Sequence, residues 1–166
     1  MYRSIADFVV DWKYESEATL KILNALTDES LAQQVTAEGR SLGFLAWHLV
    51  LTLSEMGSQM GLQVTAPSED SEQPHIAREI ASTYDISARS VLEVVRRNWT
   101  DATLLEQIEM YGEKWRRGYA LASLVRHQTH HRAQMTVLMR QAGLKVPGIY
   151  GPSREEWAQL GMPAPK

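Results

Sequence analysis

Four segments of the chain carry apolar residues at every third or fourth position, which is the spacing of one face of an α-helix. The segments span residues 2–26, 41–61, 76–98 and 118–142. In the second segment, Leu42, Leu45 and Leu49 begin an apolar stripe that continues to Met60. Helices of this length bury such stripes most simply against each other, so we predict an all-α fold, a four-helix bundle.

Residues at the ends of these segments are typical of helix boundaries. Ser41 can accept a hydrogen bond from a free backbone amide in the first turn of the second helix. Gly143 follows the fourth helix, and Pro147 lies just beyond it, as at many helix C-termini.

The connections between the helices differ in character. The polar segment QVTAPSEDSEQP separates the second helix from the third. It is long for a helical hairpin, so it fits a long crossover connection between helices 2 and 3. The segment around Gly112, between the third and fourth helices, has mixed periodicity, and both a small hairpin and an irregular loop are compatible with it.

We predict a single domain, residues 1–166, in which residues 143–166 form a C-terminal tail that packs on the bundle. A chain of 166 residues is long enough for one substantial core, and no repeat or linker interrupts it. The tail is rich in Gly and Pro. Within it, residues 153–160 are predicted to form one short helix, with Ser153 as its cap and Glu155 and Glu156 in its first turn.

Composition argues against several functional classes. The formal net charge is -3, whereas nucleic-acid binders need a basic surface, so we expect no nucleic-acid partner. The chain has no cysteine, which excludes disulfides and a cysteine nucleophile. The N-terminus contains Asp7 and Asp11 and does not resemble a signal peptide, and the apolar run 42–53 is too short to span a bilayer. We therefore expect a cytoplasmic protein without membrane contact.

The segment HQTHHRAQM, residues 127–135, holds three of the five histidines of the chain. Side chains four residues apart on a helix are rotated by only about 40° and lie one turn apart. By this geometry His131 falls inside the apolar arc of the fourth helix and His127 just outside its edge, whereas His130 points away. On the second helix, His48 borders the buried stripe.

Imidazoles that lean inward from two helices can hold one ion between them. Two histidines at i and i+4 form a common half-site for a divalent cation, and a third histidine leaves open positions for water or substrate. We therefore predict that His48, His127 and His131 are metal ligands and that His130 is exposed. Each of them alone also fits a polar residue at the flank of a core helix, so the prediction depends on their combination.

Together these motifs resemble the DinB/YfiT-like superfamily of metal-dependent four-helix-bundle enzymes. The resemblance covers nearly the whole chain, through the motifs WKYESEATLKILNAL, WHLV, HQTHHRAQ and PGIYGP. It places ligands at His48, His127 and His131. It also implies a crossover as the second connection, a divalent ion such as zinc or nickel, and a homodimer. Characterised relatives include transferases and isomerases that use low-molecular-weight thiols.

A site of this kind fits two reactions on a small-molecule substrate, thiol (S-)transfer and hydrolysis. Three neutral ligands leave the ion its full charge, which lowers the pKa of a coordinated water or thiol. Because the chain lacks cysteine, a thiol would come from a cofactor. Glu55, two turns after His48, is the candidate general base, although a solvated or salt-bridged glutamate fits the same position. The alternative is a non-catalytic, metal-binding helical-bundle dimer.

Five further residues near these motifs have more than one interpretation. Gln134 fits either a group that supports a ligand or an ordinary surface glutamine. Arg132 is expected to be a structural or interface residue and not a substrate clamp. Trp47, Trp115 and Tyr150 fit either the wall of a pocket or core packing.

Overall fold

The computed structural model describes residues 1–165 and is mostly helical. Its four long helices are α1 (Ile5–Asn24), α2 (Leu42–Gln59), α3 (Ala77–Asn98) and α4 (Arg117–Gln141). Each helix begins and ends within about three residues of the segment that hydrophobic periodicity predicts, which is the usual precision of such boundaries. Lys166, the last residue of the predicted domain and tail, lies outside the described residues.

The segment between α3 and α4 forms a small hairpin. Its antiparallel strands are β1 (Gln107–Met110) and β2 (Glu113–Arg116). Tyr111 and Gly112 form the two-residue turn, with φ values of 54° and 79°, as a tight hairpin turn with two left-handed residues requires. Met110 is fully buried, so the hairpin is attached to the core.

Two predicted helix boundaries are confirmed. The Ser41 hydroxyl accepts a hydrogen bond from the backbone amide of Phe44 at 3.0 Å and caps α2. Gly143, just after α4, has a φ of 75°, the left-handed conformation that glycine adopts at helix ends. Within residues 1–165, no helix is both long and apolar enough to cross a membrane.

Helix α1 packs between α3 and α4. The Trp12 indole donates a hydrogen bond to the carbonyl of Ala88 at 2.9 Å, and the Ile5 amide donates to the Asp101 carboxylate at 2.8 Å. Because the start of α1 lies near the end of α3, these two helices are antiparallel.

Helices α1 and α4 run in the same direction. The Tyr2 amide, before α1, donates to the carbonyl of Gly118 at 3.0 Å. Further along both helices, the Arg132 guanidinium contacts the Glu15 carboxylate at 2.5 Å.

Helix α2 also packs against α3 and α4, and it is antiparallel to α4. The Gln128 amide donates to the carbonyl of Leu49 at 3.1 Å, while Leu45 at the start of α2 and Leu138 near the end of α4 line one groove. Helices α2 and α3 therefore run parallel, and the connection 60–76 returns along their length.

The prediction of a short helix at 153–160 is wrong for the first half of that segment. Only Trp157–Leu160 form a helical turn, a 3₁₀ turn, and Ser153 does not cap it. The Glu156 carboxylate instead accepts hydrogen bonds from the backbone amides of Gly148 and Ser153, both at 2.9 Å. These bonds close a loop, and they occupy the carboxylate that the predicted helix would have used at its N-terminus.

Candidate metal centre

Helices α2 and α4 bring three imidazoles together at their interface. The ligand nitrogens of His48, His127 and His131 all lie within 4.8 Å of one another. The Nε2 atoms of His48 and His127 are 3.2 Å apart. Two nitrogens that bind the same tetrahedral zinc ion lie about 3.3 Å from each other, so this pair has the separation that a shared ion requires.

The relative position of the two helices depends on a buried glutamine. Gln128 is 0% exposed, and its amide donates to the carbonyl of Leu49 at 3.1 Å. Since Gln128 follows His127 and Leu49 follows His48, this bond holds the two imidazoles opposite each other. Sequence reasoning missed Gln128, although a polar side chain inside the apolar arc of α4 was a signal for a buried hydrogen bond.

Burial keeps these imidazoles neutral. Desolvation, followed by the charges of His131 and Arg40, lowers the pKa of His48 to about 4. Desolvation is also the largest cause that lowers the pKa of His127, to about 4, and that of His131. A neutral imidazole has a lone pair free for an ion, so the three side chains are in the protonation state of metal ligands at neutral pH.

Gln134 sets the tautomer of His131. The Nδ1–H of His131 donates to the side-chain oxygen of Gln134 at 2.7 Å, which leaves Nε2 with its lone pair for an ion. The same amide contacts Nε2 of His130 at 3.2 Å. His130 is exposed and does not belong to the three-histidine group.

The buried Nδ1 atom of His127 has no hydrogen-bond partner among residues 1–165. A buried polar atom without a partner costs free energy. Because Nε2 is the His127 atom that faces His48, a water molecule is the partner that this Nδ1 would need.

Glu55, the predicted general base, lies outside the histidine group. It is half-buried on α2, and the hydroxyl of Tyr111 at the hairpin tip donates to its carboxylate at 2.8 Å. Burial raises the pKa of Glu55, and the hydrogen bond from Tyr111 opposes that shift.

Within the described part of the chain, no carboxylate and no fourth imidazole joins the three histidines. His48 and His127 are partly exposed, so the centre is accessible from one side. Three protein ligands with solvent access are typical of a metal site that retains an open position, in contrast to a closed structural site.

Arg132 has a structural role next to the centre. It forms an ion pair with Glu15 in which the two side chains are only 3% and 7% exposed. Its guanidinium also donates to the hydroxyls of Thr19 and of Tyr150, a residue of the C-terminal tail. Through these contacts Arg132 connects α4 with α1 and with the C-terminal tail. Sequence reasoning missed Glu15, although its helical spacing from the buried Trp12 places it on the core face of α1.

Comparisons with known proteins agree with this fold. The model of the DinB family matches residues 1–165. A Bacillus subtilis (strain 168) protein named uncharacterized protein YrdA is 46% identical over 166 residues, which cover 100% of this chain and 99% of that protein.

Solved structures include similar proteins. A DinB-like protein from Bacillus cereus has a TM-score of 0.87 and 41% identity, covering 90% of this chain and 100% of that one. The DinB-like protein YjoA from Bacillus subtilis has a TM-score of 0.67 at 14% identity, covering 89% and 99% of the two chains, which shows a shared fold. Fold and site together define a mostly helical protein with a three-histidine group between two helices. The chain belongs to the DinB family.

Proposed function

We propose that this protein binds one divalent metal ion through His48, His127 and His131 and acts as a metal-dependent enzyme on a small-molecule substrate. The observation that carries the proposal is the convergence of three ligand nitrogens within 4.8 Å of one another. Their low pKa values and the absence of a fourth ligand within residues 1–165 support an open, catalytic type of site over a closed one.

Zinc and nickel are the ions that we propose, because both accept neutral imidazole nitrogens. When bound, such an ion supplies Lewis acidity for thiol transfer or for hydrolysis. The chain has no cysteine, so thiol transfer would use a low-molecular-weight thiol as cofactor. Glu55 remains the candidate general base, and its hydrogen bond to Tyr111 at 2.8 Å would orient its carboxylate.

The helix contacts favour a specific architecture for this function. The parallel helices α2 and α3 contact each other; α2 also contacts α4, and α3 also contacts α1. This arrangement fits a four-helix bundle with a long crossover connection. We also propose that the protein is a cytoplasmic homodimer, in agreement with its family resemblance.

Metal binding can be tested directly. We expect elemental analysis of the purified protein to find close to one divalent ion per chain, and calorimetry to show tight zinc uptake by the metal-free form. His48→Ala and His131→Ala should each abolish tight binding, because two imidazoles make only a weak site. His130→Ala is the matched control and should bind as the wild type does. Equal losses from all three variants would exclude this ligand set.

Catalysis needs a separate assay. The zinc-loaded protein is mixed with a panel of thiols and a reactive aryl halide, and in parallel with an aryl ester in the absence of thiol. Turnover above the free-zinc background in the first assay supports thiol transfer, and turnover in the second supports hydrolysis. Background rates in both would favour the alternative, a non-catalytic metal-binding dimer.

A further inference from the structure

A groove of about 390 Å³ lies between the start of α2 and the end of α4. We refer to it as the α2–α4 groove; it is lined by Val35, Gly39, Arg40, Leu45, Gln134, Val137 and Leu138. Four of these side chains are aliphatic, and Arg40 and Gln134 are the two polar ones. The volume is at the small end of the range for ligand pockets, which suits a compact molecule.

The α2–α4 groove lies beside the histidine group. Leu45 lies about one helical turn before His48, and Leu138 lies about two turns after His131, on the same faces of their helices. Gln134 belongs to both places, because it lines the groove and accepts the hydrogen bond from His131 at 2.7 Å. A molecule in this groove therefore lies beside His131, one of the proposed ligands.

Arg40 supplies a cation at this groove that is not neutralised by the protein. The four ion pairs found in residues 1–165 do not include it. Its guanidinium instead lies over the Phe44 ring, 5.1 Å from the centroid, and Phe44 stacks on His48 with the ring centroids 5.9 Å apart. This stack holds the charge of Arg40 close to the histidines.

We propose that the α2–α4 groove is the substrate site of the metal centre and that it selects an organic anion, with its apolar body against the aliphatic walls and its carboxylate at Arg40. The inference rests on the proposed function. Three neutral imidazoles, one divalent ion and Arg40 together give the centre a positive charge that attracts an anion. A guanidinium binds a carboxylate by charge-assisted hydrogen bonds, and the aliphatic walls favour an apolar body.

The charge preference is tested with octanoate and its neutral analogue octanamide, titrated by calorimetry into the zinc-loaded protein. We expect octanoate to bind about tenfold more tightly than octanamide, in line with the strength of a hydrogen bond between charged groups. Arg40→Gln should weaken octanoate binding several-fold and leave octanamide binding unchanged, because only the ion then attracts the carboxylate; unchanged octanoate affinity in this variant would also overturn the proposal. Arg78→Gln, which alters an exposed arginine on α3, is the matched control and should bind octanoate as the wild type does. Equal binding of the two compounds to the wild type would overturn the proposal.

The apolar part of the proposal is tested with carboxylates of increasing length, from acetate to octanoate. Affinity should rise by about two- to fourfold for each added methylene that enters the groove. Val137→Ser should weaken octanoate several-fold and leave acetate unchanged, whereas Ile86→Ser, at a similarly exposed position on α3 (60% against 54%), should weaken neither. No dependence on chain length would show that the groove is not the site.

Two measurements separate this proposal from the proposed function. Zinc affinity is determined for each preparation, and the octanoate titration is repeated with the metal-free protein. Tight zinc binding without a carboxylate preference overturns the groove assignment alone. If the wild type takes up no zinc but still binds octanoate through Arg40, the anion selectivity of the groove is supported. The proposed metal function is then overturned.

Discussion

At the scale of single residues, burial determines what the histidines can do. An imidazole in water titrates near pH 6.5, whereas desolvation lowers the pKa of His48 and of His127 to about 4. Protons therefore compete weakly with a metal ion for these nitrogens at neutral pH.

The same shifts predict how the stability of the metal-free protein depends on pH. Between about pH 6.5 and pH 4 the unfolded chain binds more protons at these two histidines than the folded chain does. Above pH 6.5 both histidines are neutral in the folded and unfolded chains, so their burial carries no protonation cost. As the pH falls from 6.5 toward 4, the free energy of unfolding should decrease. Urea unfolding of the metal-free protein across this range should show the decline.

Two variants separate this effect from general acid sensitivity. Replacing both His48 and His127 by Asn should flatten the decline, because two groups that titrate differently in the two states are removed. His75→Asn, at an exposed position before α3, should keep the wild-type slope. An unchanged slope in the double variant would contradict the prediction.

The Glu15–Arg132 ion pair predicts a large stability effect. Arg132→Met should destabilise the protein by about 3–5 kcal/mol, because it leaves a buried carboxylate without its partner. Adding Glu15→Gln to Arg132→Met should recover part of that loss, since the uncompensated charge is then gone. Urea unfolding at pH 7 measures both, with the exposed Arg96→Met as a control that should change stability by less than about 0.5 kcal/mol. A double variant less stable than Arg132→Met would be the contrary result.

At the scale of an element, the first turn of α2 lies next to both the groove and His48. Ser41 caps this helix through its hydroxyl, and Arg40 directly precedes it. Ser41→Ala should cost about 1 kcal/mol in the free energy of unfolding, because a free amide in the first turn loses its acceptor. Ser58→Ala in the last turn of α2, where the side chain is exposed, should have little effect. Equal effects of the two changes would show that the cap does not contribute.

At the scale of the whole molecule, the proposed ion bridges α2 and α4 and should stabilise the folded state. A ligand that binds only the native protein adds about 2.7 kcal/mol at a hundred times its dissociation constant. Zinc should therefore raise the thermal unfolding midpoint of the wild type and of His130→Ala, and should not raise that of His48→Ala. Equal shifts in all three proteins would indicate zinc binding elsewhere on the chain.

Much of the fold was predictable because the signals for it are local. The periodic apolar residues predict the four helices, Ser41 and Gly143 mark two of their ends, and the inward lean of His131 follows from helical rotation alone. The sequence did not distinguish a hairpin from an irregular loop around Gly112, because strands of four residues are too short to show a periodic pattern.

The sequence by itself determined the helices, the kind of side chain on each face and the family resemblance, since each depends on residues close together in the chain. Tertiary structure alone decided that His48 meets His127 across 79 positions, that Glu15 pairs with Arg132, and that Arg40 lies at a groove beside the histidines. These contacts depend on how the helices are placed against each other, which is set by packing and by bonds such as that from Gln128. Local periodicity does not contain that information.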